Sequence, residues 1–424
     1  MNGQEPTNEP VKGRFRRVAL AGAALLALAV LTSNLWVPPL VVGTPATTAD
    51  RWRQALSPEA RALVDRALEG VSSVHDHHAH LIATGHEGSG ASFHPDLVSW
   101  VHPIKRIKTA VYQMAGGVEV LEKTDSQYVD RLQALVKSYP VDYSLSLLAF
   151  EAYHDGEGQA RPDLTAFHVP NAWTVKVADR LGDRWEPVAS IHPYRPDALE
   201  ALRRWHGAGV RMIKWLPNSM GIDPGDPRCD PFYDELAKLG VALLSHAGDE
   251  HAVDGETQQH LGNPLRLRRP LDRGVTVIVA HCGGLGMGAD LDTPGAPEVA
   301  NFDLFLRLMS EPAYEGLLFG EISAVVLSNR HGAPLRTLLE RKDLHSRIAY
   351  GSDYPLPAVD VLIQTDALAE LGYLTRAEAK LLDELFTVHP LLFDLVLKRT
   401  LRAPGTDEGF PLALFSRKIR ARSR

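Results

Sequence analysis

Five side chains able to ligate a metal or move a proton recur at the ends of short apolar runs in this 424-residue chain. In VSSVHDHHAHLI (71–82), Asp76, His78 and His80 are spaced by two. On a β-strand that spacing puts them on one face, so two imidazoles converge on one point. His75 and His77 then fall on the opposite face, behind the ligands or in solvent. His246 closes LLSHAG, His281 closes IVAHCGG and Asp353 closes YGSDYP. Imidazole and carboxylate are the usual ligands of Zn(II), Mn(II) and Fe(II), and a catalytic site keeps one position open for water. With only two cysteines, Cys229 and Cys282, any metal must rely on His and carboxylates. Core histidines satisfied by hydrogen bonds would not recur at the same end of separate strands.

Other candidates sit at equivalent places. Lys214 ends VRMIKWLP, where an ammonium could bind a substrate carboxylate or pair with an acid. Glu321 in GEISA and Glu151 in AFEAY could orient the ligating histidines from behind, or be plain structural acids. His192 in SIHPY either lines a substrate pocket or caps the turn before Pro193. Cys229 and Cys282 could bridge in an oxidising compartment or remain two buried thiols. The stretch 83–124 is long for a βα loop and reads as a lid or substrate-recognition insertion.

The elements that must position these residues follow from periodicity. Eight apolar, β-branched runs, at 71–82, 144–153, 187–193, 210–217, 241–248, 275–283, 316–326 and 347–355, alternate with stretches of helical spacing. Such alternation implies parallel strands joined by crossover helices. Eight units close naturally into a (β/α)8 TIM barrel, and the polar residue at the C-terminal end of each run favours that over an open sheet. SPEARALVDRALEG (57–70) has a Ser cap, Pro at the first helical position and a Gly stop. TRAEAKLLDELFTVHPLLFDLVLKR supplies the last helix, and the basic tail SRKIRARSR reads as a solvated end.

The chain is 45% hydrophobic and 23% charged with a net charge of -7, ordinary for a globular protein and without the basic excess that binds nucleic acid. Lys12, Arg14, Arg16 and Arg17 precede the apolar run 18–31, and residues 18–42 together could cross a hydrocarbon core of about 30 Å. The predicted organisation is therefore a cytoplasmic tail and signal anchor over 1–42, a linker and short helix over 43–70, the barrel over 71–400 and the tail over 401–424. A basic N-terminal flank places the barrel on the far side of the membrane, in a bacterium the periplasm. Cleavage of a signal peptide, leaving a secreted or periplasmic protein, is the competing reading.

DHHAHL, GVRMIKWLP, LLSHAG, VIVAHCGG and YGSDYP, in this order, resemble the amidohydrolase superfamily, in its amidohydrolase-related (amidohydrolase 2) branch, over about residues 71–395. The resemblance implies His78, His80, His246 and Asp353 as metal ligands, and His281 as a ligand or the catalytic histidine. It also raises a carboxylated Lys214 bridging two metals as the alternative to an ammonium. Asp353 and His281 would be catalytic, the one moving the water's proton, the other polarising a carbonyl or holding an oxyanion. The implied activity is hydrolysis of an amide, ester or lactone bond of a small molecule by attack of metal-activated water. The branch also holds non-oxidative decarboxylases, the alternative, whereas a silent binding barrel would require a lost ligand. A homo-oligomer is the general expectation for a soluble enzyme domain.

Overall fold

Each of the eight runs contributes to a strand shorter than itself, and the strands of runs 144–153 and 187–193 begin two residues before them, at Asp142 and Trp185. The computed structural model describes residues 32–42, 51–253 and 256–421. The strands are β1 (Ser73–His80), β2 (Asp142–Leu148), β3 (Trp185–Val188), β4 (Met212–Trp215), β5 (Ala242–His246), β6 (Val277–Ala280), β7 (Leu318–Glu321) and β8 (Ile348–Ala349). They pair in chain order and always parallel, as a three-stranded set β1–β3 and a five-stranded set β4–β8. A parallel bridge between Ala189 and Ile213 joins the sets on one side, and one between Ala79 and Tyr354 joins them on the other. The ring is thus closed, as the alternation of strands and helices predicts.

Side-chain parity builds the interior. Leu148, Val188, Met212, Leu244, Ile278 and Ala349 meet in one buried cluster inside the ring. Their neighbours, such as Leu147, Ile213, Leu243 and Val277, belong to the larger core beneath the helices. Because parity alternates, Lys214 follows Met212 and His246 follows Leu244 on the inner face, carried to the C-terminal mouth of the barrel.

Helix α1 (Ser33–Val42) precedes α2 (Pro58–Leu68), whose cap is the expected one, the Ser57 hydroxyl accepting from the Ala60 N–H. The 83–124 insertion holds α3 (Pro103–Ala115), and α4 (Thr124–Lys137) returns the chain to β2. Later crossovers are α5 (Asn171–Leu181), α6 (Ala198–Gly207), α7 (Asp230–Leu239), α8 (Asn301–Met309) and α9 (Ala333–Glu340). Between β5 and β6 the chain crosses through short helical turns at Glu256–Gly262, Pro264–Leu267 and Arg268–Asp272. The final stretch splits into α10 (Arg376–Phe386) and α11 (Pro390–Thr400), because Pro390 starts a new helix whose cap is the His389 ring, accepting from the Leu392 N–H.

One expectation changes. The basic tail is not a solvated end: Ile419 is buried in the interior cluster, while Lys418 and Arg420 pair with Glu186 on β3. An apolar side chain there closes the N-terminal mouth of the ring, which water would otherwise enter. Cys229 and Cys282 are buried and separate, so no bridge forms. The predicted anchor lies outside the described residues over 18–31; its last part is α1, which runs through Pro38-Pro39. Among the described residues no helix is long and apolar enough to cross a membrane.

Candidate metal centre

The upper end of β1 sets the geometry, through an irregularity. Register with β2 shifts between Asp76 and Ala79, so the period-two spacing does not hold Asp76, His78 and His80 together. Asp76 instead takes hydrogen bonds from the Tyr143 hydroxyl (2.7 Å), the Ser352 hydroxyl (2.6 Å) and the Ser352 and His78 N–H groups (both 2.9 Å). Burial pushes its carboxyl up to about 6 against these bonds. Asp76 ties β1 to the turn after β8 and takes no place in the metal centre.

His78 and His80 do converge. Their Nε2 atoms lie 3.3 Å apart, and Asp353 Oδ1 is 3.5 Å from the first and 3.2 Å from the second. These three donor atoms all lie within 4.8 Å of one another. Asp353 has φ of 62° and His281 has φ of 55°, a region rarely adopted outside glycine and held here by the surrounding structure. One such hold is visible, since the Asp353 N–H donates to the His78 carbonyl at 2.7 Å.

Behind the donors, Glu321 is fully buried at the end of β7. Its Oε1 accepts from His78 Nδ1 at 3.0 Å and from the His281 N–H at 2.9 Å. That bond puts the His78 proton on Nδ1 and leaves the Nε2 lone pair for a metal. Ser323 donates its hydroxyl to Glu321 Oε1 (2.7 Å), so Ser323 Oγ (2.7 Å) and the Ser323 carbonyl (3.1 Å) act as acceptors for His281 Nδ1. His281 therefore also carries its proton on Nδ1 and presents a lone pair at Nε2.

His246 lies beside His281, ring centroids 5.2 Å apart, with Nδ1 3.6 Å from Glu250. Its Nε2 is buried with no hydrogen-bond partner. A buried orphan nitrogen is costly unless something outside the protein satisfies it. Burial drives the imidazoles neutral, His246 down to about 3 and His78 and His281 well below 6.5. Neutral imidazole is the ligating form. Burial lifts the Asp353 carboxyl, but His78 and His80 beside it more than offset this and keep it below the ordinary carboxylate value.

Lys214 is buried with Nζ 3.3 Å from His78 Nε2, and burial lowers it to about 8 despite Glu321 and Asp353. It stays mostly an ammonium at neutral pH. Glu151 is taken up elsewhere, accepting from Arg195 Nη1 at 2.9 Å and from the His192 N–H at 3.3 Å. His192 does not reach the cavity. Its Nε2 meets the Met220 carbonyl at 3.0 Å and its Nδ1 accepts from the Tyr194 N–H at 3.2 Å, which is the turn role before Pro193.

Above the donors opens a cavity of about 560 Å³, lined by His78, His80, Lys214, His246, His281 and Asp353 at its floor. The rest of its wall is mostly apolar, built from Phe93, Ile104, Tyr112, Phe150, Phe167 and Val253, with Lys105, Lys108 and Gln113 also on it. The 83–124 insertion thus supplies one side of the cavity. Sequence reasoning missed Ser323, two residues beyond Glu321, and Glu250, four beyond His246. It also missed Arg330, whose buried Nε and Nη1 lack partners and whose charge acts on His281 and His246. The spacing to a named residue could have flagged the first two; nothing in the loop sequence flags Arg330.

The sequence matches the amidohydrolase family over residues 75–385. The chain belongs to the amidohydrolase family. The family comprises metal-dependent enzymes, hydrolases and decarboxylases among them, as the sequence motifs imply. No curated protein matches this amidohydrolase. Among solved structures, it is similar to 5-carboxyvanillate decarboxylase from Sphingomonas paucimobilis at 13% identity, covering 75% of this chain and 96% of that one, TM-score 0.42. An amidohydrolase II matches at 18% identity over 73% and 96%, TM-score 0.42. The 4-oxalomesaconate hydratase of Rhodopseudomonas palustris matches at 12% identity over 72% and 92%, TM-score 0.37.

Proposed function

We propose that this amidohydrolase cleaves an amide, ester or lactone bond of a small molecule with an apolar body, using a divalent metal held by His78, His80, His246 and Asp353. The observation that carries this is the donor set. Three donor atoms converge within 4.8 Å, and His246, whose buried Nε2 has no partner, lines the same cavity. Neutral imidazoles with a carboxylate suit zinc, and manganese or iron(II) accept the same donors. A bound divalent ion polarises a carbonyl oxygen and brings the pKa of a water to about 7.

The residues around it divide the remaining work. Glu321 keeps His78 in the ligating tautomer. Asp353, a carboxylate at neutral pH, accepts the proton of the attacking water and returns it to the leaving group as the carbonyl carbon–heteroatom bond breaks. His281, with its proton committed to Ser323, offers a lone pair and acts as a ligand or proton acceptor. Holding an oxyanion would require an N–H there, which the Nδ1 tautomer does not supply. Lys214 acts as an ammonium that fixes a polar group of the substrate. The mostly apolar wall admits the rest of the molecule. We place the enzyme on the periplasmic face of the inner membrane, held by the N-terminal segment.

A metal-dependent carboxy-lyase is the second reading, favoured by Lys214, a buried cation at the cavity floor suited to a substrate carboxylate. Elemental analysis of the full chain tests the centre: wild type should bind one metal that His78→Ala and Asp353→Asn lose. Absence of metal from reconstituted wild type would overturn the proposal, and two metals would make Lys214 a bridging carbamate. Panels of amides, esters, lactones and aromatic acids then separate the reactions, since carbon dioxide release without hydrolysis would establish the lyase.

A further inference from the structure

Apolar side chains left in water crowd one part of this molecule. Val101 and Ile104, each 80% exposed, line the mouth of the cavity at the start of α3, and Trp100 beside them is 59% exposed. The guanidinium of Arg106 stacks 3.5 Å beneath the Trp100 ring, holding the indole in place. Helix α1 packs along α3, its Val42 sharing a core with Val111 and Ala115. On its remaining surface α1 exposes Leu35 (70%), Leu40 and Trp36, and it carries no charged residue. A ten-residue helix without charge that leaves leucines and a tryptophan in water is out of place on a water-facing surface, where apolar area of this extent marks an interaction site.

The chain itself says what covers it. The apolar run 18–31 ends two residues before α1 begins, and Lys12, Arg14, Arg16 and Arg17 precede that run. A segment of that composition partitions into a bilayer with its basic flank at the headgroups. The run 18–31, about 21 Å long as a helix, is short for a full span with α1 packed on the barrel, so were it to enter the bilayer, α1 one residue beyond it would be drawn to the lipid surface. Tryptophan at such a boundary, an apolar body with a polar N–H, is the side chain enriched there.

We propose that the face formed by α1 and the start of α3 docks on the lipid bilayer, so that the catalytic cavity opens against the membrane surface rather than into bulk water. The partner is lipid, and the inference is independent of which reaction the cavity performs. It requires residues 18–31 to remain on the chain, as in the anchored form of the protein.

The test uses the full chain in phosphatidylethanolamine–phosphatidylglycerol vesicles. Single-cysteine probes at Leu35→Cys, Val101→Cys and Ile104→Cys carry a fluorescent label, and Lys342→Cys, on the N-terminal side of β8, is the control. Both native cysteines are buried, so labelling goes to the introduced thiol. Nitroxide-bearing lipids should quench the labels at 35, 101 and 104 severalfold more than the label at 342. Equal quenching at all four positions would overturn the proposal. So would protection of the three sites from both lipid nitroxide and aqueous iodide, which would mean that the chain's own N-terminal segment or a second copy covers the face.

Discussion

The four histidines of β1 meet opposite fates within one strand. At its lower end His77 is satisfied on both sides, Nδ1 facing the Tyr350 carbonyl at 3.2 Å and Nε2 accepting from the Ile419 N–H at 3.1 Å. His75 bonds Ser144 Oγ at 2.9 Å. At the upper end His78 has one nitrogen held by Glu321 and the other turned toward His80, Asp353 and Lys214. All three buried rings are neutral, so burial alone does not distinguish a structural histidine from a ligand. What distinguishes His77 from His78 is that the protein completes the second nitrogen of His77 with the Ile419 N–H, whereas that of His78 is turned to other metal-ligating side chains.

Breaking the upper end should have the largest effect. His78→Ala is expected to lower kcat/KM by about 10²- to 10⁴-fold and to abolish metal binding, read by steady-state kinetics and elemental analysis. Glu321→Gln keeps the shape but weakens the hold on the His78 tautomer. It should cost about 10- to 100-fold in metal affinity or activity, measured by competition with a chelating dye. His77→Ala sharpens the contrast from below. It leaves the Ile419 N–H without its acceptor, while the Tyr350 carbonyl keeps the backbone N–H of residue 77 at 3.0 Å, so urea denaturation should show a loss of about 1–3 kcal/mol with metal content unchanged.

The smallest effect is a pH dependence of stability. His75, His77, His192, His246 and His389 are all held down by burial, to about 2, 4, 3, 3 and 3. Below 6.5 the unfolded chain takes up protons that the folded one refuses. Their contribution is therefore complete above 6.5 and is lost progressively as pH falls from there toward 4 and below. Asp76, raised to about 6, and Asp249, Asp360, Asp383 and Asp394, also raised by burial, work in the opposite direction, losing their contribution as pH rises, but His78, His168 and His281 are lowered with the other five histidines and outnumber them. The urea midpoint of the apo protein should be lower at pH 5 than at pH 7.5; an equal or higher midpoint would contradict neutral buried histidines.

Much of the centre was legible in the chain. His78, His80 and Asp353 come together as their places at strand ends predict, and Glu321 stands behind His78. The reading failed where it assumed regular geometry. Period-two spacing grouped Asp76 with the ligands and put His75 and His77 behind them or in solvent, whereas the register shift sends Asp76 to Tyr143 and Ser352 and leaves the other two buried in the barrel's lower end. His192, read as either a pocket residue or a turn cap before Pro193, takes the second role, with both its nitrogens used.

By itself the sequence determined the alternation of strand and helix, the ring of eight and the chemical types at its upper end, because periodicity and residue type are local properties. Only the tertiary structure decided which nitrogen of each histidine is free, that Ile419 plugs the lower mouth, and that Arg330, Ser323 and Glu250 surround the donors. Those outcomes depend on contacts between segments up to hundreds of residues apart, such as His77 with Ile419, and no local pattern encodes such a distance.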